Sequence, residues 1–259
     1  MASVTVEQHE EHWAEIRLER PEAHNAISTA LAEELAAACA SVAADPTVRA
    51  VVVGSSSTRA FCVGADLKER STFTDAQLLD QRLVFRHAFA AVRELPVPTI
   101  AAVHGWALGG GLEIALSCDV VVADETAVLG LPEVRVGLVP AGGGTQLLPW
   151  RIGPAAAADL IYTGRQVRID EAHALGLVDR RVPAGADRSA AAALAAQIAA
   201  NSPVGLRNAK HALRAGGEVG LAAGLDIEDA AWRASAFSAD RREGIAAFIE
   251  KRAPVWPEG

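Results

Sequence analysis

The chain has 259 residues, of which 51% are apolar and 22% charged, and its net charge is -8. That length supports one large domain with a buried core, and that composition excludes a disordered chain. Only three lysines, Lys68, Lys210 and Lys251, sit on this acidic chain, which argues against general binding to nucleic acid or to an anionic membrane.

From the N-terminus, Met1 to Glu11 is polar and acidic, unlike a signal or transit peptide. Val4–Val6 and Trp13–Leu18 alternate apolar with polar residues and predict two strands near a sheet edge. Ser28 is placed to cap a helix that carries Leu31, Leu35, Cys39 and Val42 on one face. Ala50–Val53 reads as a buried strand, followed by a loop from Ser55 to Asp66. Leu78, Phe85, Phe89 and Val92 form a helical stripe, ended by Pro96 and Pro98.

Thr99–Val103 is a second buried strand. Gly109, Gly110 and Gly111 then precede an apolar helix, Leu112 to Ser117, and Val120–Val122 is a third buried strand. The largely apolar passage from Pro98 to Val122 also holds His104, Glu113 and Asp119, so it reads as soluble core rather than a membrane span. Short apolar strands alternating with helices predict an α/β fold with a largely parallel sheet. After Asp187 the pattern turns helical, with breaks at Pro203, Gly216-Gly217 and Ser238, and residues 184–200 read as one alanine-rich helix. A soft boundary there divides 1–186 from a helical region, 187–259. Cys39, Cys62 and Cys118 are scattered and odd in number, which suggests neither a zinc site nor a disulfide framework and points to a reducing, cytoplasmic compartment.

Two carboxylates stand in apolar company. Glu113 follows the glycines and lies among Leu112, Ile114, Ala115 and Leu116. Burial raises the pKa of such a group and suits it to acid–base work near neutral pH; a buried ion pair with an arginine is the competing reading. Glu133 lies in Gly130-Leu131-Pro132-Glu133-Val134 and reads alone as a turn residue, but together the two suggest a site. Glycines 109–111 lead into a helix, where backbone N–H groups can approach a ligand and stabilise developing negative charge. Close backbone packing is the other reading there, and the favoured one for glycines 142–144. Neither a phosphate loop nor a Gly-x-Gly-x-x-Gly fingerprint is present. No serine sits in Gly-x-Ser-x-Gly, and the histidines lack metal-site spacing. His104 reads as a satisfied core residue.

Taken in order, several stretches together resemble the enoyl-CoA hydratase/isomerase family, also called the crotonase family. They are Leu18-Glu19-Arg20-Pro21 with Asn25-Ala26, and Phe61-Cys62-Val63-Gly64-Ala65-Asp66-Leu67-Lys68. Pro96 through Gly105 follows, running into Ala107-Leu108-Gly109-Gly110-Gly111-Leu112-Glu113. Leu131-Pro132-Glu133, Gly142-Gly143-Gly144-Thr145-Gln146 and Phe248-Ile249-Glu250-Lys251-Arg252 complete the set, which spans nearly the whole chain. The resemblance implies a crotonase-like spiral of repeated ββα units over 1–186, holding the coenzyme A and active sites. It implies a C-terminal helical oligomerisation region over 187–259 that assembles homotrimers or homohexamers.

By the same resemblance, the N–H groups of Ala65 and Gly110 form an oxyanion hole for the thioester carbonyl. Ala65, Asp66, Leu67 and Lys68 line the coenzyme A adenine pocket, and Phe248 and Lys251 reach the coenzyme A of a neighbouring subunit. Glu113 activates water and Glu133 delivers a proton to the α-carbon. The implied activity is hydration of a 2-enoyl-CoA, with a double-bond isomerase of the same fold as the alternative and a non-catalytic, RNA-binding member as a more distant one. Coenzyme A belongs to the substrate, so no separate cofactor and no metal are expected, nor a nucleic-acid or membrane partner. Ala141 replaces a common family glycine and questions the turn geometry there, and Trp106 is a candidate wall of the acyl pocket.

Overall fold

The computed structural model describes residues 2–257. The chain opens with a hairpin, β1 (Val4–His9) and β2 (Trp13–Leu18), in which Val4 pairs antiparallel with Leu18. Helix α1 (Thr29–Ala44) starts where Ser28 accepts a hydrogen bond from the Leu31 N–H, and it buries Leu31, Leu35, Cys39 and Val42. Then come β3 (Ala50–Ser55), β4 (Ala60–Cys62), α2 (Leu67–Arg70) and α3 (Asp75–Arg93). The stretch expected to be a loop from Ser55 to Asp66 contains β4, whose three residues are too few to show an alternation. In α3 the stripe begins later than expected. Phe85, Phe89 and Val92 are buried, but Leu78 is exposed, because the first turns of the helix extend past the core.

The next units are β5 (Thr99–Val103), β6 (Trp106–Leu108) and α4 (Gly110–Ser117), then β7 (Val120–Asp124), β8 (Val128–Gly130), α5 (Gly144–Ile152) and α6 (Pro154–Thr163). They are followed by β9 (Gln166–Arg168), α7 (Ile169–Ala174) and β10 (Arg180–Val182). From β3 to β8 successive strands go to different sheets. One sheet runs β1-β2-β3-β5-β7-β10 and the other β4-β6-β8-β9. Each ββα unit therefore adds one strand to each sheet, so the chain winds as a spiral. Apart from β1 with β2 and β8 with β9, all neighbouring strands are parallel. Parallel strands need both faces covered. Accordingly, Val51 and Val53 of β3 face one apolar cluster with Phe61, Leu112 and Leu129, while Ala50 and Val52 face a second.

The last helices are α8 (Asp187–Ala199), α9 (Pro203–Gly217), α10 (Leu221–Ala236) and α11 (Ala239–Glu250). Helix α8 closes the second cluster with Ala191, Leu194, Ala195 and Ala199. The remaining three pack on one another and leave Leu213, Trp232, Phe237 and Phe248 each more than 60% exposed, at 77%, 64%, 77% and 84%. His104 is satisfied on both ring nitrogens, by Asp187 at 2.9 Å and the Ser57 carbonyl at 2.6 Å. All three cysteines are free and buried, and burial pushes each thiol up to about 12, so they are unreactive core residues. Among the described residues, no helix is long and apolar enough to cross a membrane.

Candidate functional site

A cavity of about 340 Å³ opens between the segment after β4, the start of α4 and the turn after β8. Its walls include Ala65, Leu67, Gly110, Glu113, Glu133 and Gly142. The tight approach of two backbone segments builds its floor. Gly64 has φ +89, and a Cβ there would lie 2.9 Å from the Leu108 carbonyl oxygen and 3.2 Å from the Gly110 nitrogen. Gly111 packs closer still, where a Cβ would stand 2.1 Å from the Cys62 carbonyl oxygen. Only glycine permits this contact. Among the described residues, the Ala65 and Gly110 N–H groups donate to no protein acceptor, although Gly109 and Asp66 beside them donate to Gly130 and Ile27. Two free donors thus border the cavity, one at the N-terminus of α4, where the helix dipole favours negative charge.

Glu113 projects from the first turn of α4 and is 3% exposed. It has no arginine ion pair; its Oε1 instead accepts from the N–H groups of Gly142 at 2.6 Å and Gly144 at 2.9 Å. Gly142 and Gly144 do pack closely, as the structural reading expects, with a Cβ at Gly144 falling 2.9 Å from Leu131, and they also serve the site. Their amides orient a carboxylate, and a Cβ at Gly142 would reach within 2.7 Å of Glu113 Oε2. Ala141 lines the cavity without disturbing these bonds. Burial raises the Glu113 pKa, and the two amides oppose that rise.

Glu133 opens a short 3-10 turn after β8. Its Oε1 lies over Gly109, where a Cβ would come within 2.9 Å, and its Oε2 is buried with no hydrogen-bond partner. Burial, reinforced by the charge of Glu113, lifts its pKa to about 7. The two carboxyls therefore differ. The amides bonded to Glu113 favour its anion, whereas the Glu133 oxygen left unbonded favours the neutral acid.

The fold brings together Ala65, Leu67, Gly110, Glu113 and Glu133 and leaves other expected residues outside the cavity. The Asp66 carboxylate caps α2 through the Lys68 and Glu69 N–H groups and pairs with Arg20 at 2.7 Å. Lys68 projects to solvent, and Phe248 and Lys251, expected at the coenzyme A of a neighbouring subunit rather than in this cavity, are exposed at the end of α11. Trp106 is 41% exposed, set edge-on to His24, and is not a wall of the cavity. Sequence reasoning missed Arg70, Arg82 and Arg135, which line the cavity. Their helical or turn setting makes them look like ordinary surface charges.

The sequence model of the enoyl-CoA hydratase/isomerase family matches residues 8–259. The chain belongs to the enoyl-CoA hydratase/isomerase family. A Bacillus subtilis (strain 168) relative, provisionally named enoyl-CoA hydratase/isomerase YngF, is 44% identical over 247 residues and covers 95% of each chain. The enoyl-CoA isomerase/hydratase fer4 of Mycosarcoma maydis is 41% identical over 92% of this chain and 90% of its own. The crystal structure of an enoyl-CoA hydratase from Bacillus anthracis superposes with a TM-score of 0.96 at 39% identity, covering 99% of this chain and all of that one. The spiral of ββα units is thus the crotonase fold.

Proposed function

We propose that this member of the family adds water to a 2-enoyl-CoA, giving a 3-hydroxyacyl-CoA. The observation that carries this reading is the pair of unlike carboxyls facing one cavity beside two free backbone donors. The thioester oxygen accepts from the Ala65 and Gly110 N–H groups, which stabilise it as it becomes an enolate oxygen. Glu133, lying over Gly109 next to that donor, is placed to protonate C2. Glu113, one helical turn further along α4, takes a proton from the water that attacks C3. Atoms balance: C3 gains hydroxyl, C2 gains hydrogen, and the Glu113 proton returns to Glu133 through solvent or a second water. The reaction calls for no cofactor beyond the coenzyme A on the substrate. A panel of 2-enoyl-CoA thioesters tests the reading by loss of the conjugated-enoyl absorbance; no loss with any chain length overturns it.

The raised pKa of Glu133 has two consequences of defined sign. Its neutral form is the acid, so hydration is expected to fall as pH rises through about 7. The two carboxyls titrate as a pair, so the falling limb belongs to both. Stability follows the same proton. The folded state holds it more tightly than the unfolded chain, so stability declines as pH rises from 4.5 to about 7 and then levels. Glu133→Gln removes that penalty. The variant is expected to be more stable than the parent at pH 8 by about 1–2 kcal/mol, after allowance for solvent screening of a partly exposed group. Denaturant melts at pH 5 and pH 8 check this, and a gap of the same size at both pH values would refute it.

The exposed apolar side chains of α9, α10 and α11, among them Trp232, Phe237, Ile245 and Phe248, form a surface that a monomer rarely leaves open. We expect homotrimers or homohexamers. Sedimentation velocity at micromolar concentration decides it, and a monomer there would defeat the expectation.

A further inference from the structure

The reaction cavity is apolar on most sides, yet two guanidinium groups reach it from the same wall. Arg70 ends α2 and Arg82 lies in α3. Among the described residues, neither forms an ion pair with a carboxylate. Arg70 is braced without being neutralised. Its Nε donates to Gln81 Oε1 at 2.7 Å, and its guanidinium lies 4.9 Å from the centre of the Phe85 ring. The neighbouring Glu69 carboxylate is engaged elsewhere, by the Thr29 N–H and the Gln81 amide. Arg82 is half-buried and, among the described residues, makes no hydrogen bond to the protein. Glu113 bonds to Gly142 and Gly144 and to neither arginine, so its charge reaches the two guanidiniums only at a distance.

Arginine keeps its charge in any protein setting, and a half-buried cation without a partner is costly. The two guanidiniums also repel one another; burial above all, and then the charge of Arg82, hold the Arg70 pKa down against the pull of Glu69. An anion placed between them would remove both costs. Against the rise that burial gives the Glu113 pKa, the positive charges of both arginines pull it down, so both stand within Coulombic reach of that carboxyl. They therefore flank the Glu113 side of the cavity. In the proposed pose the thioester lies at Gly110, C2 at Glu133 and C3 at Glu113, so the acyl carbons beyond C3 lead toward this wall.

We propose that Arg70 and Arg82 form a subsite for a carboxylate at the far end of a short acyl chain, so that the substrate is the coenzyme A monothioester of an unsaturated dicarboxylic acid. The assignment of the acyl direction rests on the reading of the site given above. Two planar forks offer paired N–H donors of the kind a carboxylate accepts. Their positive charge also offsets the repulsion that a substrate carboxylate would meet from the Glu113 anion.

Coenzyme A carries anions of its own, so its phosphates are the other source of negative charge. Calorimetric titration of the full chain with saturated thioesters separates the two sources without turnover. Glutaryl-CoA carries the terminal carboxylate, 5-methylhexanoyl-CoA carries an isopropyl group of the same shape, and free coenzyme A carries neither. The parent is expected to bind glutaryl-CoA at least about tenfold more tightly than the isopropyl analogue, the low end for hydrogen bonds to a charged group. Arg82→Gln should bring that ratio close to one, and Arg82→Lys should restore part of it. A ratio near one in the parent overturns the proposal. So does an Arg82→Gln variant that weakens both thioesters and free coenzyme A alike, which assigns the arginine to the phosphates. Selective binding of glutaryl-CoA with no hydration of any unsaturated thioester would leave the subsite standing and remove the hydratase reading alone.

Discussion

Glu113→Gln and Glu133→Gln are each expected to lower hydration turnover by at least roughly 10²-fold, the lower end for acid–base catalysis. Both changes keep side-chain volume and remove a proton acceptor or donor. Hydration needs oxygen attack at C3 and protonation at C2, and a single carboxyl serves only one of these sites well. The environments supply the division. Glu113 is held by two backbone N–H groups, and Glu133 Oε2 is held by none. The double variant should lose much less than the product of the single losses, because members of one catalytic unit are not additive. Binding of a saturated acyl-CoA should survive in all three. Steady-state hydration of the preferred 2-enoyl-CoA measures the effect. If Glu113→Gln hydrates normally while Glu133→Gln is dead, one carboxyl suffices, and proton transfer between carbons, as in an isomerase, becomes the better reading. If both variants match an active parent, the chemistry lies elsewhere.

Gly110→Val is expected to cost about 10²–10³ in turnover, the usual loss for one oxyanion donor. The residue acts through its N–H, so the effect must come from position rather than from side-chain chemistry. A Cβ at Gly110 would meet Ile27 Cδ1 at 2.9 Å and Phe89 Cζ at 3.3 Å. Both are ends of side chains, and Ile27 can turn away from a single methyl. Gly110→Ala should therefore fold and keep more activity than the valine variant. The branched valine adds two γ-carbons against Ile27 and Phe89, which also walls the cavity, and displaces the start of α4 with its donor. Circular dichroism establishes that each variant folds, and kcat on a 2-enoyl-CoA then reads the donor. Near-normal turnover in folded Gly110→Val would refute the oxyanion role.

Local pattern was enough for the elements whose residues interact with near neighbours. The alternation in Trp13–Leu18, the cap at Ser28 and the buried run at Ala50–Val53 each depend on spacing along one strand or helix. Leu78 shows the limit of such reasoning. Its spacing matches Phe85 and Phe89, but which turns of α3 the core covers depends on where the helix sits. Three-residue strands such as β4 are equally silent, because pairing with β6 defines them rather than any pattern of their own.

The two glutamates were visible in the sequence because a carboxylate in apolar company is costly unless something uses or satisfies it. Their difference was not. Glu113 accepts from amides 29 and 31 residues away, which oppose the rise that burial gives its pKa, and Glu133 is left with an unbonded oxygen by the absence of any such donor. The contact of Gly64 with Gly110, which sets two free N–H groups beside one cavity, likewise joins separate turns of the spiral. Arg70 and Arg82 read as surface charges until α2 and α3 turn them onto the Glu113 wall. Composition and periodicity thus determined the longer strands and helices and the presence of buried carboxyls, since these follow from solvation and from backbone repeat. Protonation preference, free donors and the charge of the substrate wall were decided only by tertiary structure, because each depends on which groups from distant parts of the chain come within hydrogen-bonding or Coulombic reach.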